Sequence, residues 1–253
     1  MQNPNRFFAV PIIGIFVCTA FLFSGLNTPS QDKNKTKPLQ AEEVDTSRIP
    51  VVDFLDVSPE ELAKQRGKGR KYDNKYSPPI DEDRDISVTT TDWERGLPAF
   101  PLQKSVAVII GTVVKAKAHF SERKTDVFSE FEVEIEEVLK NDGKFTVGSS
   151  AFVERAGGRV RFPSGKMMVS IISKQQMPVV GKQYLLFLTH DGPLGGIYED
   201  YFILTGYEFR GDIVFPLDQS VPGHPISAYR GVDKDSFFTD LNSALNVVGL
   251  ATR

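Results

Sequence analysis

Between Phe128 and Asp142 the chain reads FSEFEVEIEEVLKND, with Glu130, Glu132, Glu134 and Glu136 at every second position and Phe131, Val133 and Ile135 between them. Alternation with period two marks a strand that buries one face and wets the other. The same segment also spaces Phe128, Phe131, Ile135 and Val138 as a helix would, and glutamate favours helices, so local pattern leaves both readings open. The preceding segment decides between them. In SVAVIIGTVVKAKAH, Lys115, Lys117 and His119 share one face, while Thr112, Val114, Ala116 and Ala118 share the other. Folding the two segments about the polar turn SERKTD sets Lys117 opposite Glu130 and Lys115 opposite Glu132. The same register sets Val114 against Val133 and Ala116 against Phe131. A slip of one residue would carry charge into the core, so both faces specify the pairing. Each opposite-charge pair contributes about 0.2–1 kcal/mol. The adjacent Glu136 and Glu137 break the alternation and predict a bulge.

Read as a strand, this glutamate row is a solvated face and not a cation site. Alternate strand residues project in parallel about 7 Å apart, whereas calcium needs several oxygens converging on one point.

Further strand segments follow between turn signals. SSAFVER and RVRFP flank AGG and predict a hairpin; MMVSIIS follows PSGK; QYLLFLT, YFILTGYEF and DIVFP come next, with Gly211 and Asp212 turning between the last two. Short strands at this spacing indicate a mainly β, antiparallel barrel or sandwich. One helix closes the domain over residues 235–248, with Asp235 as its cap and Phe237, Phe238, Leu241, Leu245 and Val248 along one face. The folded domain is expected over residues 92–253. DWERGLPAFP, starting at Asp92, would enter it as a strap, since Trp93, Leu97 and Phe100 are poorly left in water.

Residues 7–24, FFAVPIIGIFVCTAFLFS, carry no charge and have about the length of a membrane-spanning helix. Arg6 precedes them, which directs the rest of the chain out of the cytoplasm. Residues 1–26 therefore read as a signal peptide or signal anchor, and the apolar continuation Phe21–Phe23 beyond Ala20 favours the uncleaved anchor. Residues 27–91 turn polar and read as a largely disordered linker. Within it, VVDFLDV could add a short strand, Ser58, Pro59 and Glu61 signal a short helix near 58–66, and the basic run RGKGRK begins at Arg66.

Several chemistries are excluded. Cys18, the only cysteine, lies inside the apolar run, so the exported part has no disulfide, cysteine nucleophile or cysteine-ligated zinc. His119, His190 and His224 lack ligand spacing, and neither a nucleophile elbow nor a phosphate loop is present: in PSGKMM, Met167 stands where Ser or Thr would be required. In DEDRDI, Ile86 occupies the place where a calcium loop needs glycine. No metal or cofactor is expected. The net charge of −3 gives no reason to expect nucleic acid. Candidate binding residues are Trp93, Arg159 and Arg161 in a basic cluster with Arg155 and Lys166, and His190 with the loop to Ile197. The arginines read first as charges that protect an edge strand from pairing with other chains, and second as an anion-binding edge.

The runs SEFEVEIEEVLKND, GGRVRFPSG, MPVVGKQYLLFL and ILTGYEFRGDIVFPLD, within roughly residues 92–218, resemble a group of uncharacterised bacterial exported β-barrel proteins, which brings no activity with it. IIGTV, FEVEIEEVLKND and VGKQYLLFL, in that order, look like the OB-like barrel of the netrin and tissue-inhibitor-of-metalloproteinase class. That resemblance implies a non-enzymatic OB-like barrel with a C-terminal helix. Those inhibitors reach the protease metal through an amino-terminal cysteine, which this domain lacks, so no functional residue is carried over. The expectation is an extracytoplasmic binding module of the cell envelope, tethered to the cytoplasmic membrane through residues 7–24 or secreted, with a protein or glycan partner. The alternatives are a hydrolase centred on His190 and a structural spacer without ligand.

Overall fold

Both faces of the hairpin form as their side chains require. In a computed structural model that describes residues 46–55, 68–83, 86–89, 96–191, 197–219 and 223–251, β3 (Ala107–Phe120) and β4 (Val127–Asn141) pair antiparallel, with Lys117 opposite Glu130, Lys115 opposite Glu132 and Ala116 opposite Phe131. Phe131 and Val133 are fully buried, whereas Glu134, Glu136 and Glu137 are exposed. The register shifts at Glu136, where the paired acids predict a bulge. Of the two other shifts along this pair, the one between Val113 and Lys115 corrects the expected placement of Val114. The extra residue resets the alternation, so Val113 faces Val133 in the core and Val114 turns outward, 44% exposed.

From this hairpin the pairing runs in a ring. β4 pairs antiparallel with β5 (Ser150–Ala156), and β5 meets β9 (Ile197–Arg210) in a short parallel contact, Val153 to Tyr201 and Glu154 to Phe202. β9 pairs with β8 (Gln183–Asp191), and β8 returns to β3. β10 (Ile213–Pro216) and β11 (Val232–Asp233) extend the sheet from β9. Both faces of β8 are covered, which is why QYLLFLT is apolar almost without alternation: Tyr184 and Leu186 face the interior cluster with Phe131 and Val133, while Leu185 and Phe187 face a second cluster with Phe209 and Phe237.

A second sheet has the order β1–β6–β7–β2, from β1 (Val51–Asp53), β6 (Gly158–Arg161), β7 (Met167–Ile172) and β2 (Ile86–Thr89). The expected hairpin about AGG does not form. Gly157 takes φ +103°, and the chain leaves the first sheet there, so β6 pairs with β7 and not with β5. A side chain at Gly157 would meet the Ser170 carbonyl oxygen at 2.7 Å. The parallel pairings of β1 with β6 and β2 with β7, together with that of β5 with β9, depart from an all-antiparallel arrangement.

These pairings also move the boundary of the folded unit. Residues 44–253 cluster as one unit, and the polar stretch expected to be a linker contributes β1, β2 and the buried side chains Ile49, Val52, Tyr72 and Ile80. Ile49 joins the cluster of Phe131; Val52 and Ile80 join that of Phe120 and Phe162, and Tyr72 that of Phe128 and Phe202. The expected apolar segment 7–24 and the short helix near 58–66 lie outside the described residues.

The C-terminal helix α1 (Lys234–Ala251) is capped two residues earlier than expected. Asp233, and not Asp235, accepts the Ser236 amide at 2.8 Å. Phe237 and Leu241 are fully buried against Tyr207 and Phe209, as the helical spacing predicts. Leu97 and Phe100 join that cluster, and the Tyr207 hydroxyl donates to the Ala99 carbonyl at 2.7 Å, so the 97–102 segment lies against the sheet.

The alternation in β4 gives an asymmetric expectation for two substitutions three residues apart. Phe131→Ala should destabilise the fold by about 3–5 kcal/mol, and Glu134→Ala should change it by less than about 0.5 kcal/mol, both measured by urea unfolding. Similar losses at both positions would contradict the assignment of faces.

Candidate binding site

On the outer face of the sheet, Glu130 of β4 stands directly opposite Glu154 of β5, and Glu154 stands opposite Phe202 of β9. Like charges directly opposite each other are destabilising, and Glu154 is 1% exposed, so the arrangement requires cations from elsewhere. Residues 68–77 supply them. Lys68 forms an ion pair with Glu130, and its ammonium lies 3.1 Å from Glu154 Oε1. Lys71 Nζ lies 2.8 Å from Glu154 Oε2 and also pairs with Asp200. The Tyr72 hydroxyl donates to Glu154 Oε2 at 2.7 Å. Although Lys68 is close to Glu154 Oε1, it approaches out of line, and that buried oxygen has no aligned hydrogen bond.

Aromatic contacts complete the clamp. The Tyr72 ring stacks on Phe128 at 4.2 Å with the planes 3° apart, and the Lys71 ammonium sits 4.7 Å from the Phe202 ring centre. His119 Nε2 lies 4.0 Å from Glu130 Oε1. Close approach is needed as well: a side chain at Gly69 would come within 2.9 Å of the Glu122 amide nitrogen. Past Tyr72, the Asp73 carboxylate accepts the Arg123 amide at 2.8 Å and the Asn74 amide donates to Thr125 Oγ1 at 2.9 Å.

Beside this cluster an open groove of about 310 Å³ is lined by Lys68, Thr146, Ser150, Phe152, Glu199, Asp200 and Tyr201, among others. Phe152 is 52% exposed, its ring open to the groove. The Tyr201 hydroxyl donates to the Lys144 carbonyl at 3.0 Å and accepts from the Thr146 amide at 3.1 Å, which fixes its ring. His190 lies behind the groove. Its Nδ1 is 3.1 Å from the Asp200 carbonyl oxygen, an acceptor, so Nδ1 carries the proton of that bond, and its ring lies 5.1 Å from that of Tyr201.

The arginines face other work. Arg159 donates to the carbonyls of Ile49 at 2.8 Å and Ser47 at 3.0 Å, and Arg161 makes a two-pronged pair with Asp53, its partner across β1 and β6. Hydrogen bonding to Arg161 holds the Asp53 carboxyl below its ordinary range. The basic edge thus fastens β1 onto β6. Arg155 is buried, donating to Asp218 at 2.7 Å, and Asp218 also accepts from Thr205 and from the Gln176 amide. Of the candidates named from sequence, His190 adjoins the groove, Arg159 and Arg161 do not, and Trp93 and residues 192–196 lie outside the described residues.

Sequence reading misses Lys68, Lys71, Glu154, Phe152 and Asp200. One signal is available: with Val153 inward, SSAFVER must turn both Phe152 and Glu154 outward, an aromatic on a face otherwise expected to be wet.

Comparison with family models, curated proteins and solved structures gives no match. Among the described residues, no helix is long and apolar enough to cross a membrane, and no group of three or more His, Cys, Asp or Glu could hold a metal ion.

The clamp gives stability an alkaline limit. Burial and the Glu154 charge raise the Tyr72 hydroxyl well above its ordinary 10.0, and burial pushes Tyr184 up to about 12. Burial alone would lower the Lys68 ammonium, but its bond to Glu130 and the nearby charges of Glu154 and Glu130 outweigh that, and its value is raised. Each of these groups is held in its protonated form by the fold. Their contribution is complete below the unfolded-state values and declines as pH rises from about 10. The urea midpoint should therefore fall steadily between about pH 10 and 12, and less steeply in Tyr72→Phe; a midpoint flat over that range would contradict the assignment.

Proposed function

We propose that the chain is a non-enzymatic, extracytoplasmic binding module built on an OB-like barrel of β3, β4, β5, β8 and β9, tethered through residues 7–24 or secreted, and that its groove takes an oligosaccharide of the cell envelope. The pairing order supports the barrel: β3–β4–β5 antiparallel, β5 parallel to β9, and β9 and β3 both flanking β8. OB barrels bind oligonucleotides and oligosaccharides on the face of their second and third strands, which correspond here to β4 and β5. This step from architecture to ligand is one of analogy, and the groove's chemistry narrows it. Glu199 and Asp200 disfavour a polyphosphate, which binds through cations.

The observation that carries the reading is Phe152, half exposed at the groove beside Asp200. An accessible ring offers a flat apolar surface to sugar C–H groups, and neighbouring carboxylates accept from hydroxyls. His190 adds no support to the hydrolase alternative, since its Nδ1 meets a backbone carbonyl and its ring packs tilted beside Tyr201. The groove and the exposed aromatic weigh against a spacer without ligand.

The test is binding of the full chain to a panel of soluble oligosaccharides from bacterial envelope polymers. Phe152→Ala should weaken the bound members at least about tenfold, equivalent to about 1.4 kcal/mol, while Glu134→Ala leaves affinity unchanged. Failure of the wild-type chain to bind any member, or unchanged binding by Phe152→Ala, would sink the proposal.

A further inference from the structure

Residues 68–77 are held on the first sheet in a manner unlike the rest of the fold. They add no strand to it and form only a short 3-10 turn at Arg70–Tyr72. What joins the two is one buried ion pair, Lys71 with Glu154, two partly exposed pairs, Lys68 with Glu130 and Lys71 with Asp200, one stacked tyrosine and one lysine over a ring, with the Asp73 and Asn74 hydrogen bonds to the turn between β3 and β4 beyond them. Buried ion pairs are a poor way to gain stability, because well-packed apolar groups in their place usually do as well or better. Two carboxylates opposed across β4 and β5 are poorer still, and one oxygen of Glu154 lacks an aligned hydrogen bond even with the lysines in place. Such a surface discriminates among occupants, since anything lacking the cations leaves the buried Glu154 uncompensated beside Glu130.

We propose that the outer face of β4, β5 and β9 is a receptor for a basic, aromatic peptide segment of a partner protein, and that residues 68–77 fill it in cis. The chemistry of the ligand is read from its present occupant: a lysine for Glu130, a second lysine three residues on for Glu154 and Asp200, and then a tyrosine to stack on Phe128. A partner bearing that pattern competes with residues 68–77, which makes this second strap a built-in inhibitor of its own site. The inference goes beyond the groove reading and stands whatever the groove binds, although Lys68 and Asp200 border both.

The probe is a fluorescent peptide of residues 68–77, KGRKYDNKYS, added to the full chain. Two variants loosen the strap by different means. Gly69→Ala drives a methyl group toward the Glu122 amide and the Phe120 carbonyl, and Lys68→Ala removes the cation of Glu130. The loosened chains should bind the peptide at least about tenfold more tightly than wild type, and adding Glu130→Gln to Gly69→Ala should return most of that gain. A peptide with the lysines of positions 68 and 71 changed to glutamine should not bind. The proposal is overturned if the loosened chains, folded by near-ultraviolet circular dichroism, bind no better than wild type, or bind equally well without Glu130. It is overturned too if both variants unfold, because the strap would then be part of the core.

Discussion

The pairing of β3 with β4 in a single register is the constraint on which the rest depends. It puts Phe131 and Val133 inside and Glu130 and Glu132 outside. Because β5 continues the same pleat, Glu154 arrives opposite Glu130, and because β9 meets β5 in parallel at that point, Phe202 and Asp200 arrive beside them. An outer face so composed is costly to leave without cations. The lysines of residues 68–71 answer its charge, Tyr72 covers Phe128, and a stretch of polar sequence far from the hairpin becomes part of the fold. A decision about register in one hairpin is thereby carried to a segment more than fifty residues away.

Much of the hairpin is legible in sequence because its two faces make the same demand. Lysines answer glutamates on one side and apolar residues meet on the other, so a slip would be penalised twice. Position 114 escapes such reading because a bulge needs no residue of unusual chemistry; Val113 and Val114 are identical side chains, and only the local twist decides which is buried. The break between β5 and β6 is hidden for a related reason. AGG is as good a hairpin turn as it is a sheet-to-sheet crossing, and the choice rests on the close contact of Gly157 with β7, a tertiary fact.

The candidate site is less legible. Charge patterns identify a wet face, but they do not say which charges are covered once the chain folds, and RGKGRKY looks solvated until the acids it meets are in place. The arginines illustrate the converse. Arg159 and Arg161 look in sequence like an exposed anion edge or the guard of an edge strand, and the structure shows them on an inner strand, occupied with β1 and the residues before it. Arg155 reads as a member of the same basic cluster, yet it is buried and bonded to Asp218, a partner that lies far along the chain and that no local pattern announces.

The central claim, that one register organises both sheet and outer face, is tested most directly by backbone nuclear Overhauser contacts in the isotope-labelled protein. The account predicts cross-strand contacts between residues 116 and 131 and between 153 and 201. Contacts between residues three apart through 128–138, or none between 153 and 201, would contradict it.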